Sequence, residues 1–379
     1  MRITDQPLVV VAMSGGVDSS VAAGLLVEKG YRVTGMMLRL WSEAGRGDEN
    51  RCCTPDAMAQ ARRVAAILGI PFYAVDVRER FRSTVVQGFL DGYSSGVTPN
   101  PCILCNRLIR WGFLMEQARA VGATYLATGH YGRLRTIADG KIELLKARDE
   151  QKDQSYVLSA LNQEQLAHTL LPLGEYTKPE VRELARKYHL PVAERPDSQD
   201  LCFLGQEDYR VFLARHNPEV TRPGPIVTRE GKVLGNHAGL AFYTIGQRKG
   251  LGLSTPEPLY VLGKDPATNQ LVVGSESELG QREMRVDQMN WIAGVSPAGI
   301  SRVEVKIRYK AAFAPAQYEL LAEGSVRVKF DKPVRDITPG QLAVFYLDDA
   351  VLGSGWIRTA VSNTTLQAPG DLQKGEEIQ

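Results

Sequence analysis

Three stretches of this sequence hold residue types that do chemistry at fixed spacing. The first is Ser14-Gly15-Gly16-Val17-Asp18-Ser19-Ser20, directly after the apolar run Val9-Val10-Val11-Ala12. Two glycines allow the backbone a tight path there. Loop amides and hydroxyls ahead of a helix then form an anion site, because unpaired N–H groups and the helix dipole converge. The second is Thr98-Pro99-Asn100-Pro101-Cys102-Ile103-Leu104-Cys105-Asn106. Its prolines hold the chain extended and deliver Cys105 to where the next helix is expected to begin, a place that lowers a thiol pKa. The third, Arg195-Pro196-Asp197-Ser198-Gln199-Asp200-Leu201-Cys202-Phe203-Leu204, is a polar loop ending in a cysteine. Taken alone, Cys-x-x-Cys reads as half a zinc site or a redox pair, and Cys202 as a small buried hydrophobe.

The elements that must position these groups follow from the pattern. Residues 9–12 read as a buried strand, and Val21, Ala22, Leu25 and Leu26 fall at helical spacing up to Gly30. Strands are expected at 31–40, 71–75 and 123–128, and helices at 55–68, 78–90, 105–121 and 178–190. Such alternation predicts a parallel sheet with helices on both faces, whose ligands sit outside the carboxyl ends of the strands. Ser14 and Gly129-His130-Tyr131 both fall at that rim. Beyond about Asn217 the chain turns to short extended segments between glycine and proline turns, which reads as all-β. In 301–310, Val303, Val305, Ile307 and Tyr309 alternate with Arg302, Glu304, Lys306 and Arg308.

With 379 residues the chain is long enough for two or three domains, and 44% hydrophobic against 23% charged residues is the balance of a globular protein with a sizeable core. A formal net charge of +2 permits a local nucleic-acid patch without demanding one. No apolar run approaches ~20 residues, so no membrane partner is expected. The polar start, with no secretory signal, and the odd count of five cysteines point to a cytoplasmic protein with reduced thiols. Cys52 and Cys53 are expected in a surface loop.

The glycine loop lacks the Gly-Lys-Ser/Thr of the P-loop and the spaced glycines of the dinucleotide fingerprint. It resembles the pyrophosphate (PP) loop of the N-type ATP pyrophosphatases, which include GMP synthetase, argininosuccinate synthase and tRNA-lysidine synthetase. Six features occur in one order: this loop, Asn-Pro-x-x-x-Cys-Asn at 100–106, Gly129-His130-Tyr131, Lys152-Asp153-Gln154-Ser155-Tyr156, Asp197-Ser198-Gln199-Asp200-x-Cys202-Phe203, and Tyr243-Thr244-Ile245-Gly246-Gln247-Arg248-Lys249-Gly250-Leu251-Gly252. Together they resemble the tRNA-specific 2-thiouridylase family over residues 8–358.

The resemblance implies an α/β fold: a parallel-sheet, adenine nucleotide hydrolase-like PP-loop domain over 1–217, a small mainly β central domain over 218–282, a C-terminal β-barrel that meets tRNA over 283–361, and a polar tail over 362–379. It implies ATP and Mg2+ as cofactors, with Ala12, Met13, Ser14, Gly15, Gly16, Val17, Asp18, Ser19, Leu38 and Gly129 on the nucleotide. It implies that Asn100, Pro101 and Cys102 face the target base. His130, Lys152, Asp153, Gln154, Arg308, Tyr309 and Gln341 would touch tRNA at its anticodon stem-loop. The implied chemistry adenylates the C2 oxygen of the wobble uridine. Sulfur from a Cys202 persulfide, charged by a donor protein such as a persulfide relay or cysteine desulfurase, then displaces AMP. Cys105 releases the product, leaving a Cys105–Cys202 disulfide.

One position departs from the family pattern, in which many members carry Asp where this chain has Cys102. The thiols of Cys102, Cys105 and Cys202 therefore stand as an alternative ligand set for a [4Fe-4S] cluster with one open iron. Two other readings remain open: an amide-forming pyrophosphatase, which would not need Cys105 and Cys202, and an RNA-binding module that senses ATP without splitting it.

Overall fold

The computed structural model describes residues 6–43, 54–196, 201–205, 207–299 and 301–360, the side chains of 359 and 360 excepted. Cys52, Cys53, the run 197–200 and the tail 362–379 lie outside the described residues.

Valine-rich β1 (Leu8–Ala12) is the centre of the first sheet, flanked by β2 (Arg32–Arg39), β3 (Phe72–Asp76), β4 (Tyr125–Ala127) and, beyond a hairpin of β5 (Arg133–Thr136) and β6 (Ile142–Leu145), β7 (Thr169–Leu170). Their order is β3-β2-β1-β4-β7, with every pairing parallel. Val9 and Val11 face a core built with the helices Val17–Glu28, Pro55–Ile67 and Lys178–Lys187. Val10 faces another, with Met36, Trp111 and Leu114. Burial on both faces is why the strand is apolar without alternation, and each of these valines contributes ~1.5–3 kcal/mol over leaving it exposed.

A four-stranded mixed sheet follows, made of β8 (Gly224–Val227), β9 (Val233–His237), β10 (Tyr260–Asp265) and β11 (Gln270–Gly274) in the order β10-β11-β8-β9. The last region comprises β12 (Gln281–Trp291), β13 (Arg302–Lys306), β14 (Ala314–Leu320), β15 (Val326–Val334), β16 (Leu342–Leu347) and β17 (Ala350–Ala360). Strand β12 pairs with both β15 and β17, closing six strands into a barrel. The α/β fold with a small β region and a terminal barrel is thus as expected.

Two features were not legible from the pattern. The β5–β6 hairpin leaves the first region and pairs with the barrel, Leu144 opposite Val351 and Leu145 opposite Ala350. Its neighbours Tyr156, Leu158 and Leu161 share one core with barrel residues Leu342, Val344 and Tyr346. Lys306, on the polar side of the 301–310 alternation, is buried instead, because that face of β13 meets a protein seam rather than water.

Candidate active site

The loop after β1 folds on its own hydroxyls. Gly15 has φ +71°, and a Cβ there would stand 2.3 Å from the Ala57 carbonyl oxygen, so only glycine fits. Gly16 caps the helix Val17–Glu28 in an extended conformation without a side-chain bond. The exposed Ser14 donates its N–H to Ser19 Oγ at 3.1 Å, with the two hydroxyl oxygens 3.2 Å apart. Ser20 donates to the Gly16 carbonyl at 2.8 Å. Met13 and Val17 are buried beneath, Ser19 is buried behind exposed Ser14, and Ser14 with the first helix amides leaves a face suited to an anion.

Asp18 looks across this loop to two partners that sequence reasoning missed. Lys178 Nζ lies 2.7 and 2.8 Å from its carboxylate oxygens, and the Tyr131 hydroxyl donates to Oδ1 at 2.8 Å. Lys178 is the first residue of its helix, fixed by the reciprocal Thr177–Glu180 capping box and by its own N–H to Asp149 Oδ2 at 2.8 Å. A cation at a helix N-terminus opposes the dipole, and that misfit was the available signal that Lys178 answers a carboxylate elsewhere. Gly129 closes the site from β4: a Cβ there would stand 2.6 Å from the Ser19 nitrogen. Ala12, Met13, Ser14, Gly15, Gly16, Val17, Asp18, Ser19 and Gly129 are therefore brought together. Leu38 sits at the same end of the sheet, half-buried between two apolar clusters.

The cysteine loop departs from expectation by one turn. The helix starts at Pro101, with extended Asn100 as its N-cap, because proline presets the helical φ and needs no N–H partner at that position. Exposed Cys102 therefore occupies the first turn and Cys105 lies deeper and buried, where the helix widens into a π segment, Cys105–Leu114. Cys105 and the half-buried Cys202 share one apolar cluster with Phe81, Phe89, Ile109, Phe203 and Phe212. Cys102 lies outside that cluster and contributes to the electrostatics of Tyr309 on the barrel side. Among the described residues no three His, Cys, Asp or Glu side chains gather as a metal site, so the three thiols do not form a ready cluster cradle in this arrangement.

The residues expected to meet tRNA divide by burial. His130 Nδ1 lies 2.8 Å from Thr128 Oγ1 and its ring 5.4 Å from Trp111. Burial, and then the Arg110 cation, push its pKa down to about 3, so it is a neutral imidazole. Asp153 is buried and accepts from the Ala147 and Ser155 N–H groups at 2.9 and 3.1 Å and from Ser155 Oγ at 2.8 Å. Gln154 exchanges bonds with Tyr131, its Oε1 taking the Tyr131 N–H at 2.9 Å and its N–H reaching the Tyr131 carbonyl at 2.8 Å. That pair links the 152–154 loop to Asp18, while half-buried Lys152 anchors its N–H on Asp149 Oδ1 at 3.2 Å.

Arg308 serves the joint between the two β regions. Its Nη2 donates to the carbonyls of Ile245 at 3.0 Å and Asp336 at 2.7 Å and to Thr338 Oγ1. Tyr309 packs edge-on to Tyr156 at 6.3 Å. Gln341 reaches the other way, from the barrel to the cysteine loop: Nε2 donates to the Thr98 carbonyl at 2.8 Å, and Asn100 Nδ2 donates to Gln341 Oε1 at 3.4 Å. Buried Pro101 and exposed Cys102 follow that contact. No described helix is long and apolar enough to cross a membrane.

Comparison with known proteins places these groups in a family. The tRNA methyl transferase HUP domain family matches residues 7–206, its PRC-barrel domain 210–275, and the aminomethyltransferase beta-barrel domain 281–357. A tRNA-specific 2-thiouridylase MnmA of Moorella thermoacetica is 49% identical over 352 residues, covering 92% of this chain and 99% of the relative. The same enzyme of Chloroflexus aurantiacus is 46% identical over 350 residues, covering 92% and 98%. That of Solibacter usitatus is 46% identical over 369 residues, covering 93% and 99%. With relatives 46–49% identical over more than nine-tenths of its length, the chain belongs to the tRNA-specific 2-thiouridylase family.

Proposed function

We propose that this chain is an ATP-dependent tRNA-uridine 2-sulfurtransferase that converts a wobble uridine to 2-thiouridine with release of AMP and pyrophosphate. The observation that carries the reading is the joining of two halves in one fold. A glycine loop lined by Ser14, Ser19 and the Asp18–Lys178 pair lies at the end of the sheet, and beside that sheet Cys105, on a helix, and Cys202, on a turn, share one core.

ATP enters with its phosphates on the loop amides and its adenosine toward Leu38 and Gly129. Lys178 gives positive charge to the departing pyrophosphate, and Asp18 holds that ammonium in place. Asp18 is also the carboxylate that suits Mg2+ beside phosphate oxygens, where the ion would offset their charge. The uridine turns out of the anticodon stack so that its C2 oxygen attacks the α-phosphorus, and pyrophosphate leaves. The terminal sulfur of a Cys202 persulfide, loaded by a donor protein, then adds to C2 as AMP departs. The Cys105 thiolate attacks Cys202 Sγ and frees the thiolated base, and an external dithiol reduces the resulting disulfide. The shared apolar cluster of Cys105 and Cys202, with Cys102 outside it, supports a two-thiol transfer. Asn100 and Cys102 face the base. Lys152 and Tyr309 meet RNA, while Asp153, Gln154, Arg308 and Gln341 hold the surfaces that do so.

The test is stoichiometry. Unmodified tRNA, ATP and a persulfide donor should yield AMP, pyrophosphate and 2-thiouridine in equal amounts. AMP formation that ignores tRNA, or tRNA binding with no AMP, would favour the amide-forming synthetase or the ATP-sensing RNA binder.

A further inference from the structure

Lys146, just after β6, and Lys306, at the end of β13, come from parts of the chain that meet only in the fold. Their ammonium groups lie 4.1 and 4.9 Å from the centroid of one ring, Phe313. Lys306 is 9% exposed, and among the described residues no carboxylate lies within 4.0 Å of it and no acceptor within hydrogen-bonding distance. Among the described residues Lys146 has one carboxylate partner, the half-buried Glu304 at 3.6 Å, and its ammonium also lies 5.2 Å from the ring of Tyr346. The buried carboxylate that acts on Lys306 from farther off is Asp153, whose oxygens already accept three donors from their own segment. Burial and then Lys146 act against the Lys306 charge, with Asp153 between them favouring it. Burying the Lys306 charge beside the half-buried Lys146 is unfavourable, and apolar side chains would fill the seam more cheaply. An anion between them reverses that balance.

The seam adjoins the proposed RNA surface. Lys306 Nζ is 5.9 Å from the ring of Tyr309, whose phenol responds to Cys102, and both Asp153 and Lys146 act on the Lys306 charge. The nucleotide loop has its own cation in Lys178. We propose that Lys146 and Lys306 form a seat for one phosphate of the RNA backbone, with the face of Phe313 as its floor, fixing the strand beside Cys102. This rests on the tRNA reading above.

The experiment is the binding of an unmodified tRNA transcript across a KCl series by wild type, Lys146→Met, Lys306→Met and Lys306→Arg, with the ATP KM measured in parallel. Each phosphate contact contributes about one unit to the slope of log affinity against log salt. Each Met variant should bind several-fold more weakly with a slope lower by about one, while Lys306→Arg keeps the wild-type slope and every ATP KM stays unchanged. Wild-type slopes in both Met variants overturn the seat. A raised ATP KM with an unchanged slope assigns the cations to nucleotide phosphate and overturns it as well. Should Lys306→Met not fold, Lys146→Met and Lys306→Arg decide by the same readings. A wild-type protein without salt-dependent tRNA binding would instead overturn the tRNA reading itself.

Discussion

The Lys178 ammonium stands 2.7 and 2.8 Å from the two oxygens of Asp18, joining residues 160 positions apart at the mouth of the glycine loop. Lys178 is 8% exposed and Asp18 only partly covered, so the pair has one buried and one open side. The carboxylate holds the cation at the helix start against the dipole and keeps it beside the anion site. The Tyr131 hydroxyl and the Tyr131–Gln154 bonds then carry the arrangement toward the 152–154 loop.

Lys178→Met should therefore fold yet lower the rate of tRNA-dependent pyrophosphate release ~10²–10³-fold, the loss typical of one preorganised donor. Lys178→Arg should recover part of it. A coupled pyrophosphate assay reads the outcome, and a Lys178→Met rate within a few-fold of wild type would remove Lys178 from the chemistry.

Gly15→Ala meets both a positive φ and the Ala57 carbonyl, whereas a Cβ at Gly16 would touch only Ser14 Oγ at 3.4 Å. Placing alanine at φ +71° costs ~1–2 kcal/mol before the clash is counted. The Gly15 variant should raise the ATP KM at least tenfold and lower the melting temperature, with Gly16→Ala milder on both. Equal effects would show that the loop is not shaped as described.

His130 is a neutral ring at physiological pH, since its pKa is pushed down to about 3. The unfolded chain takes up this proton near 6.5, so His130 contributes a loss of stability as pH falls from about 6.5 toward 3. In an NMR titration its ring signals should not move between pH 5 and 8. An inflection near 6.5 would make it a cation for RNA instead.

Lys264 follows the same sign in a higher pH window. Its Nζ has no hydrogen-bond partner among the described residues, and burial pushes its pKa down to about 7. A β-bulge between Val261 and Gly263 places it opposite core residue Leu271. The unfolded chain holds this proton up to ~10.4, so stability should climb as pH rises from about 7 to about 10. Lys264→Met should flatten that climb and unfold at higher urea at pH 7. A less stable variant would show that the ammonium has a compensating partner.

Much of the fold was legible because β1 and its helix carry strong local signals: four apolar residues, two glycines, then helical spacing. The glycine loop and the two segments that carry Cys105 and Cys202 stood out for the same reason. What escaped was set by distance in sequence. Nothing near Asp18 names Lys178, and nothing near β6 says that its hairpin joins the barrel. The start of the cysteine helix moved because Pro101, read as holding an extended segment, is also a favoured first helical residue. The burial of Lys306 was not legible because alternation reveals which face a residue takes but not what covers that face.

The most direct test of the whole account is 2-thiouridine formation, measured by mass spectrometry of tRNA digested after anaerobic incubation with ATP and a persulfide donor. The variants to compare are wild type, Cys105→Ser, Cys202→Ser and Cys102→Ala. The account predicts no thiolated base from Cys105→Ser or Cys202→Ser, with ATP binding largely kept, and continued thiolation by Cys102→Ala. Thiolation by either serine variant, or its loss in Cys102→Ala together with protein-bound iron, would contradict the two-thiol mechanism.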